Sequence, residues 1–409
     1  MSTARPYIPR PGSGSATKPQ RRYPQDRRRQ IQVWWREIDR TLLMLVLVLM
    51  ALGTVAVAAA SPASASRLST SAVDLGELYF FWIHIRWQLL GIVVLFATSA
   101  LPTEMARRGA IVLAAVMLFF LALVPFIGVE RNGATRWFDL GVVFQPSEFL
   151  TPAYAVVLAW ILSWKVRDPN LPVIGITGAL LGLIVMFIMM QPNLGSAILF
   201  VGCWFVLIML AGLPMQRIGI LSGVGIGALV LAYAFYENAR HRIDSFLGGG
   251  TAFDQVDLAN KTLMGGGWTG TGLGLGTHKM RLPEAHTDYI FSVIGEEFGL
   301  LACGVIVILY LAIVLRVLVR LVEEDRLFII LAAAGLVTLF GGQAFINMLV
   351  NLQLFPSKGM TLPLVSYGGS STIAQCFNIG LLLALTRRNP FLSREAFDLR
   401  GTLEKEAVK

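Results

Sequence analysis

The chain has 409 residues, of which 55% are hydrophobic and only 14% charged, and its mean hydropathy is +0.66. A soluble domain carries about 25% charged residues. The composition therefore excludes a soluble globular protein and predicts an all-α polytopic membrane protein with its helices in one bundle. Much of the +9 net charge falls in the first forty residues, where Arg21, Arg22, Arg27, Arg28, Arg29, Arg36 and Arg40 cluster. Basic residues just ahead of a first membrane helix set orientation and touch anionic lipid, so membrane lipid is the expected partner and nucleic acid is not.

Residues 1 to about 33 are rich in Pro, Ser, Gly, Arg and Gln and lack the apolar content to build a core, so they are expected to be disordered. Trp34 and Trp35 beside Arg36 and Arg40 read as an interfacial anchor. The first apolar run begins near Thr41, too late and too long for a cleavable signal peptide. A membrane-spanning helix needs about 20 apolar residues. Ten such runs occur, at roughly 41–60, 87–103, 109–128, 147–164, 171–190, 196–213, 218–236, 289–315, 327–349 and 370–387. The fifth and sixth are separated only by Gln191-Pro192-Asn193-Leu194-Gly195, a tight turn or a broken helix.

Lys and Arg in short loops mark the cytoplasmic side. Arg107, Arg108, Lys165, Arg167, Arg217, Arg316, Arg320, Arg326, Arg387 and Arg388 then alternate consistently, with both termini inside. This predicts a basic tail (1–39), a ten-helix membrane domain (40–389) and a C-terminal cytoplasmic tail (390–409). Segments 129–146, 191–195, 237–288 and 350–369 would face outward. Cys203, Cys303 and Cys376 lie in apolar runs and read as small core residues, with neither a disulfide framework nor a metal pattern.

The longest connection, 237–288, contains Gly265-Gly266-Gly267-Trp268 and alternating Gly270, Gly272, Gly274 and Gly276. It matches neither a P-loop nor a dinucleotide fingerprint. It reads either as a flexible linker or as a backbone-rich loop packed closely on a ligand or on the bundle.

The outward segments bring cations, carboxylates and hydroxyls to one face. Arg131, Arg136, Trp137 and Glu148 come from the first, Lys279, Glu284, His286 and Asp288 from the third, and Lys358, Ser366 and Ser370 from the last. Such a set suits a ligand with an anionic head, because Arg and Lys pair with phosphate and a carboxylate can deprotonate a hydroxyl. A transporter would more typically hold its substrate near mid-membrane. Each residue has a plainer reading. Asp288 or Thr287 could cap the helix that follows, and His286 fits a hydrogen-bonding loop residue better than a metal ligand. Arg131, Arg136 and Trp137 could be interface anchors. Glu148 could be a first-turn residue stabilised by the helix dipole. Glu296 and Glu297 lie two turns into an apolar run, roughly 12 Å deep. They either line a wet cavity or are buried partners of an arginine.

Three stretches, NGATRWFDLGVVFQPSE (132–148), LPEAHTDYIFSVIGEEFG (282–299) and FPSKGMTLPLVSYGGSS (355–371), resemble the SEDS family of shape, elongation, division and sporulation proteins. The likeness covers about residues 40–390, and the Lys358-to-Thr361 form resembles its division branch. Thr151, Asn193 and Ala259-Asn260 depart from residues common in the family. The resemblance implies a ten-helix fold in the bacterial inner membrane, at the division site, and peptidoglycan glycosyltransferase activity on lipid II, an undecaprenyl-pyrophosphate disaccharide-peptide. It implies as partners a class B penicillin-binding transpeptidase and other divisome membrane proteins. It also implies that Asp288 is the essential acid, acting as general base, with Arg136, Lys358 and Arg131 offsetting pyrophosphate charge. Partial burial or Glu284 nearby would make Asp288 a better base. A divalent cation, Mg or Mn, could accompany the pyrophosphate, but no carboxylate cluster specifies one. The competing classes are a lipid II flippase and a non-catalytic division scaffold.

Overall fold

The computed structural model describes residues 27–70, 74–131, 134–139, 141, 143–166, 168, 170–248, 255–357 and 359–388. Contacts divide the chain into two compact units, one holding α1 (Arg27–Glu37) and the other running from Ile38 to Arg388. Helix α1 extends through residues expected to be disordered, and its Trp34 and Trp35 rings lie 5.8 Å apart.

The second unit is built on α2 (Arg40–Leu68), α3 (Tyr79–Ser99), α4 (Thr103–Ile127), α5 (Pro146–Ser163), α6 (Val173–Met189), α7 (Leu194–Leu210) and α8 (Met215–Phe235). It continues with α9 (Glu237–Leu247), α10 (Gln255–Gly265), α11 (Ile290–Leu321), α12 (Leu327–Asn351) and α13 (Gly369–Leu385). Among the described residues, seven helices are long and apolar enough to cross a membrane: α2, α3, α4, α5, α8, α11 and α12. Helices α6, α7 and α13 are apolar but have 17 residues each, about 25 Å of helix. These ten occupy the ten apolar runs.

Local chemistry sets several ends. The Asp39 carboxylate accepts the Leu42 N–H at 3.2 Å and caps α2. Pro146 starts α5, where its missing N–H costs nothing. The stretch 191–195 is a turn rather than a helix break, and Asn193 caps α7 by accepting from Ser196 N–H at 3.2 Å. The core centres on α12, whose apolar face is largely buried against α5, α7, α11 and α13. Helices α3 and α13 meet through small residues, with Gly91 against Cys376, Gly380 against Leu95 and Thr98, and Gly369 against Trp87. Absent side chains let backbones approach where lipid tails supply no hydrophobic drive. Cys203, Cys303 and Cys376 are free and buried. Helix α8 is largely exposed, with Ile218 buried near its start.

Two features depart from a purely helical expectation. Strands β1 (Val129–Arg131), β2 (Ala134–Asp139) and β3 (Val143–Phe144) form a small antiparallel sheet between α4 and α5. Stacking of Phe138 on Phe144, with Phe120 edge-on to both, seats it on α4. The long connection, in turn, carries α9 and α10 rather than running as a flexible linker.

That connection docks into a break in α11. Gly299 has φ 81° and ψ 174°, which splits the helix into a short segment ending at Phe298 and a long one beginning at Leu300. The ladder bonds Leu300 and Leu301 would make to Glu296 and Glu297 are open. Their N–H groups donate instead to Gly267 O (3.0 Å) and Trp268 O (3.3 Å). Glu296 O and Glu297 O accept from Thr271 N–H (2.9 Å) and Gly272 N–H (3.0 Å). The loop thus satisfies these four backbone groups, as an apolar surround demands. The glycines permit this contact: a Cβ on Gly266 would lie 2.7 Å from Glu296 Cα, and one on Gly270 2.6 Å from Phe298 N.

Candidate active site

Asp288 ends the loop that enters α11. It does not cap the helix: the capping position is Tyr289 and no side chain serves it. Thr287 is not the cap either, since its hydroxyl donates to Glu284 Oε2 at 2.7 Å. The Asp288 backbone carbonyl accepts from Asn347 Nδ2 (2.8 Å) and Asn351 Nδ2 (3.2 Å) on α12. Asp288, half-buried, lines a small cleft with Tyr289, Ile346, Asn347, Val350, Gly359 and Met360.

Arg136, on β2, is buried. Its Nε donates to Gln191 O at 3.0 Å and its Nη2 to Pro192 O. A Cβ placed on Gly359 would lie 3.4 Å from Asp288 Oδ2 and 3.9 Å from Arg136 Nη1. The carboxylate and the guanidinium thus flank Gly359, whose φ of +64° suits a residue without a side chain. Glu148, in the first turn of α5, accepts from the Ser370 hydroxyl at the start of α13. It lies close enough to Asp288 for their charges to interact. Segments from the sheet, the α6–α7 turn, the α11 entry and the 355–368 loop therefore converge on one place.

His286 and Ser366 do not face the cleft. His286 is buried with its Nδ1 2.7 Å from Ser64 Oγ and its ring against Phe80 and Tyr367. Burial pushes its pKa down to about 4, only partly opposed by the Glu284 charge, so it is neutral at pH 7. Ser366 donates to Thr287 O at 2.6 Å and accepts Leu362 N–H at 2.8 Å, which joins two loops instead of facing the cleft. Glu284 holds φ +53° at the loop's turn. Trp137 is half-buried on β2, paired across the sheet with Val129, and Arg131 lies on β1. Lys358 falls outside the described residues.

Lys279, expected on the ligand face, is 2% exposed. Its ammonium donates to Glu297 Oε1 and, at 2.8 Å, to Ala59 O. Glu297 Oε2 also accepts Gly274 N–H at 3.1 Å. Glu296 accepts His278 N–H (2.6 Å) and Lys279 N–H (2.8 Å). The buried partner of this acidic pair is thus a lysine and a loop backbone, neither an arginine nor a wet cavity. The departures also find structural roles: the Thr151 hydroxyl donates to Ser147 O at 2.7 Å, and Asn260 donates to Gln353 Oε1 at 2.7 Å.

Sequence reasoning missed Asn347 and Asn351. With Gln343 they recur at i, i+4 and i+8 along an otherwise apolar helix, a polar stripe that points inward in a membrane bundle. Among the described residues no three His, Cys, Asp or Glu side chains cluster as a metal site.

Residues 39–390 match the family described as Cell cycle protein, which groups FtsW, RodA and SpoVE. A probable peptidoglycan glycosyltransferase FtsW of Caulobacter vibrioides is 33% identical over 88% of this chain and 92% of its own length. The Hahella chejuensis protein of the same description is 34% identical over 78% of this chain and 85% of its own. Among solved structures, the rod shape determining protein RodA of Thermus thermophilus aligns with TM-score 0.63 and 27% identity, covering 86% of this chain and 97% of its own. A chain from work on structural coordination of polymerization and crosslinking by a peptidoglycan synthase complex aligns with TM-score 0.68 and 27% identity, covering 85% of this chain and 97% of its own.

Proposed function

Because the chain belongs to the FtsW, RodA and SpoVE family of cell cycle proteins, we propose that it is a peptidoglycan glycosyltransferase that polymerises lipid II at the division septum. The observation that carries this reading is the Asp288 carboxylate facing Arg136 across Gly359 in a small cleft. Asp288 takes the proton of the acceptor sugar hydroxyl. The hydroxyl oxygen attacks the donor's anomeric carbon, the glycosidic bond forms, and the bond to the lipid pyrophosphate breaks. Arg136 offsets the negative charge that grows on the leaving pyrophosphate, and Lys358 and Arg131 belong to the same basic set. Trp137 and the Glu148–Ser370 pair frame the acceptor side. Among the described residues the donor set does not fit a dedicated metal site.

In this reading all ten apolar helices cross the bacterial inner membrane, residues 1–39 and 390–409 are cytoplasmic, and the Asp288 end faces outward. A class B penicillin-binding transpeptidase of the divisome crosslinks the product. The synthase-complex neighbour supports such a partner. The carboxylates a flippase path would use, Glu296 and Glu297, are committed to Lys279 and the docked loop. The test is polymerisation of purified lipid II by the protein with its transpeptidase. Wild type is expected to make glycan strands and Asp288→Asn none; full activity of Asp288→Asn would end this assignment.

A further inference from the structure

We propose that Asn347 is a positioning residue that sets the gap in which Asp288 works, an inference that rests on the reading of Asp288 as the base. The Asp288 carbonyl stands outside the α11 ladder, because the helix begins at Ile290 and the Ser292 N–H bonds to Tyr289 O (3.0 Å) and Asn351 Oδ1 (3.2 Å). A buried backbone carbonyl must find donors elsewhere. Here they come from two side-chain amides on α12.

Asn347 does more than satisfy that carbonyl. Its Nδ2 carries two protons; one goes to Asp288 O (2.8 Å) and the other to Met360 O (2.6 Å). Those carbonyls belong to two different loops. One carries Asp288, and the other carries Gly359, which separates Asp288 from Arg136. A single planar amide therefore fixes the spacing between the loop that bears the base and the loop that forms the opposite wall.

Asn347 is 2% exposed, so its geometry is set by packing. The amide is held from the next turn: Asn351 Nδ2 reaches Asn347 O (2.9 Å) and Oδ1 (3.3 Å), and the Ser292 hydroxyl anchors Asn351 Oδ1 at 2.7 Å. One turn the other way, Gln343 Nε2 donates to Thr361 O at 2.9 Å and extends the same grip on the 355–368 loop. The stripe on α12 thus acts as a ruler along which both loops are registered.

A base misplaced by about 1 Å can cost a hundredfold in rate. Asn347→Leu keeps the number and branching of side-chain heavy atoms and removes both donors. It is expected to lower kcat for lipid II polymerisation about a hundredfold while KM stays within about threefold. Asn347→Ser, which keeps one donor for two carbonyls, is expected to lose about tenfold and serves if the leucine variant does not fold. The discriminating measurement is a double-mutant cycle with Asp288→Glu, whose longer side chain already displaces the carboxylate. If Asn347 acts through Asp288, adding Asn347→Leu to Asp288→Glu lowers kcat less than about threefold. Wild-type kcat in both Asn347 variants, or fully additive losses in the cycle, would overturn the inference. If Asp288→Asn is inactive while Asn347→Leu is normal, only the positioning role falls. If Asp288→Asn is fully active, the assigned base falls and the positioning role with it.

Discussion

Gly299→Ala tests how the long loop is held. At φ 81° and ψ 174° only glycine sits without strain, and a side chain there costs about 1–3 kcal/mol. The added Cβ would also lie 2.5 Å from Gly270 N, with the Trp268 carbonyl oxygen closer still, and backbone atoms cannot swing aside as a side-chain tip can. The cheaper response is for α11 to straighten. Closing it regains the two ladder bonds from Leu300 and Leu301 to Glu296 and Glu297. It breaks the four bonds that now cross to Gly267, Trp268, Thr271 and Gly272. The net loss of two hydrogen bonds, at about 0.5–1.5 kcal/mol each, opposes undocking in wild type and variant alike, so the strain and clash relieved in the variant set the shift toward undocking, about 3 kcal/mol. At 1.4 kcal/mol per tenfold, that raises the undocked population about a hundredfold. Hydrogen exchange reads this directly: the Thr271 and Gly272 amides should exchange about a hundredfold faster, while amides in the middle of α12 stay unchanged. Wild-type protection at Thr271 and Gly272 would refute the exchange of bonds between loop and helix.

Lys279→Met strands Glu297 in the interior and should destabilise the protein by about 3–5 kcal/mol, whereas pairing it with Glu297→Leu should restore most of the loss. Thermal unfolding in detergent reads both, and equal melting points for the single and double variants would contradict the buried pair. Arg136→Lys replaces a fork that bonds Gln191 O and Pro192 O with a point charge; polymerisation should fall at least about tenfold, and a wild-type rate would remove Arg136 from the site. His286 is held neutral, its pKa lowered from 6.5 to about 4. Its contribution is therefore complete above pH 6.5 and is lost as pH falls from there toward 4, by about 3 kcal/mol in all. Denaturant titrations at pH 7 and pH 5 should show about 2 kcal/mol of this fall in wild type and a smaller one in His286→Gln; equal falls would exclude His286 as its source.

The positions of the ten apolar helices were legible because each buries or exposes a long run of apolar residues, a property of local composition. The convergence of Arg136, Glu148 and Asp288 was legible only as far as orientation placed their segments on one face. Their actual meeting depends on contacts such as Arg136 with the 191–192 backbone and Glu148 with Ser370, which are 55 and 222 residues apart in sequence. Ser366 and His286 carry site-like chemistry yet serve as struts between loops, and a hydroxyl or imidazole reads the same in either role until its partner is known.

The stretch from Leu282 to Leu300 shows where that division falls. Its composition alone marked it as a polar entry to an apolar helix carrying two acids, because charged groups in such a run have to be accounted for. Only the tertiary structure separated Asp288 from Glu296 and Glu297. Glu297 is paired with Lys279, and Glu296 accepts backbone N–H groups, both from a loop that fills the break at Gly299. Asp288, two residues before the helix proper, has its backbone held by α12 and lines the cleft. The cost of burying a charge is written in the residue type. Which partner meets that cost is decided by what the fold brings alongside.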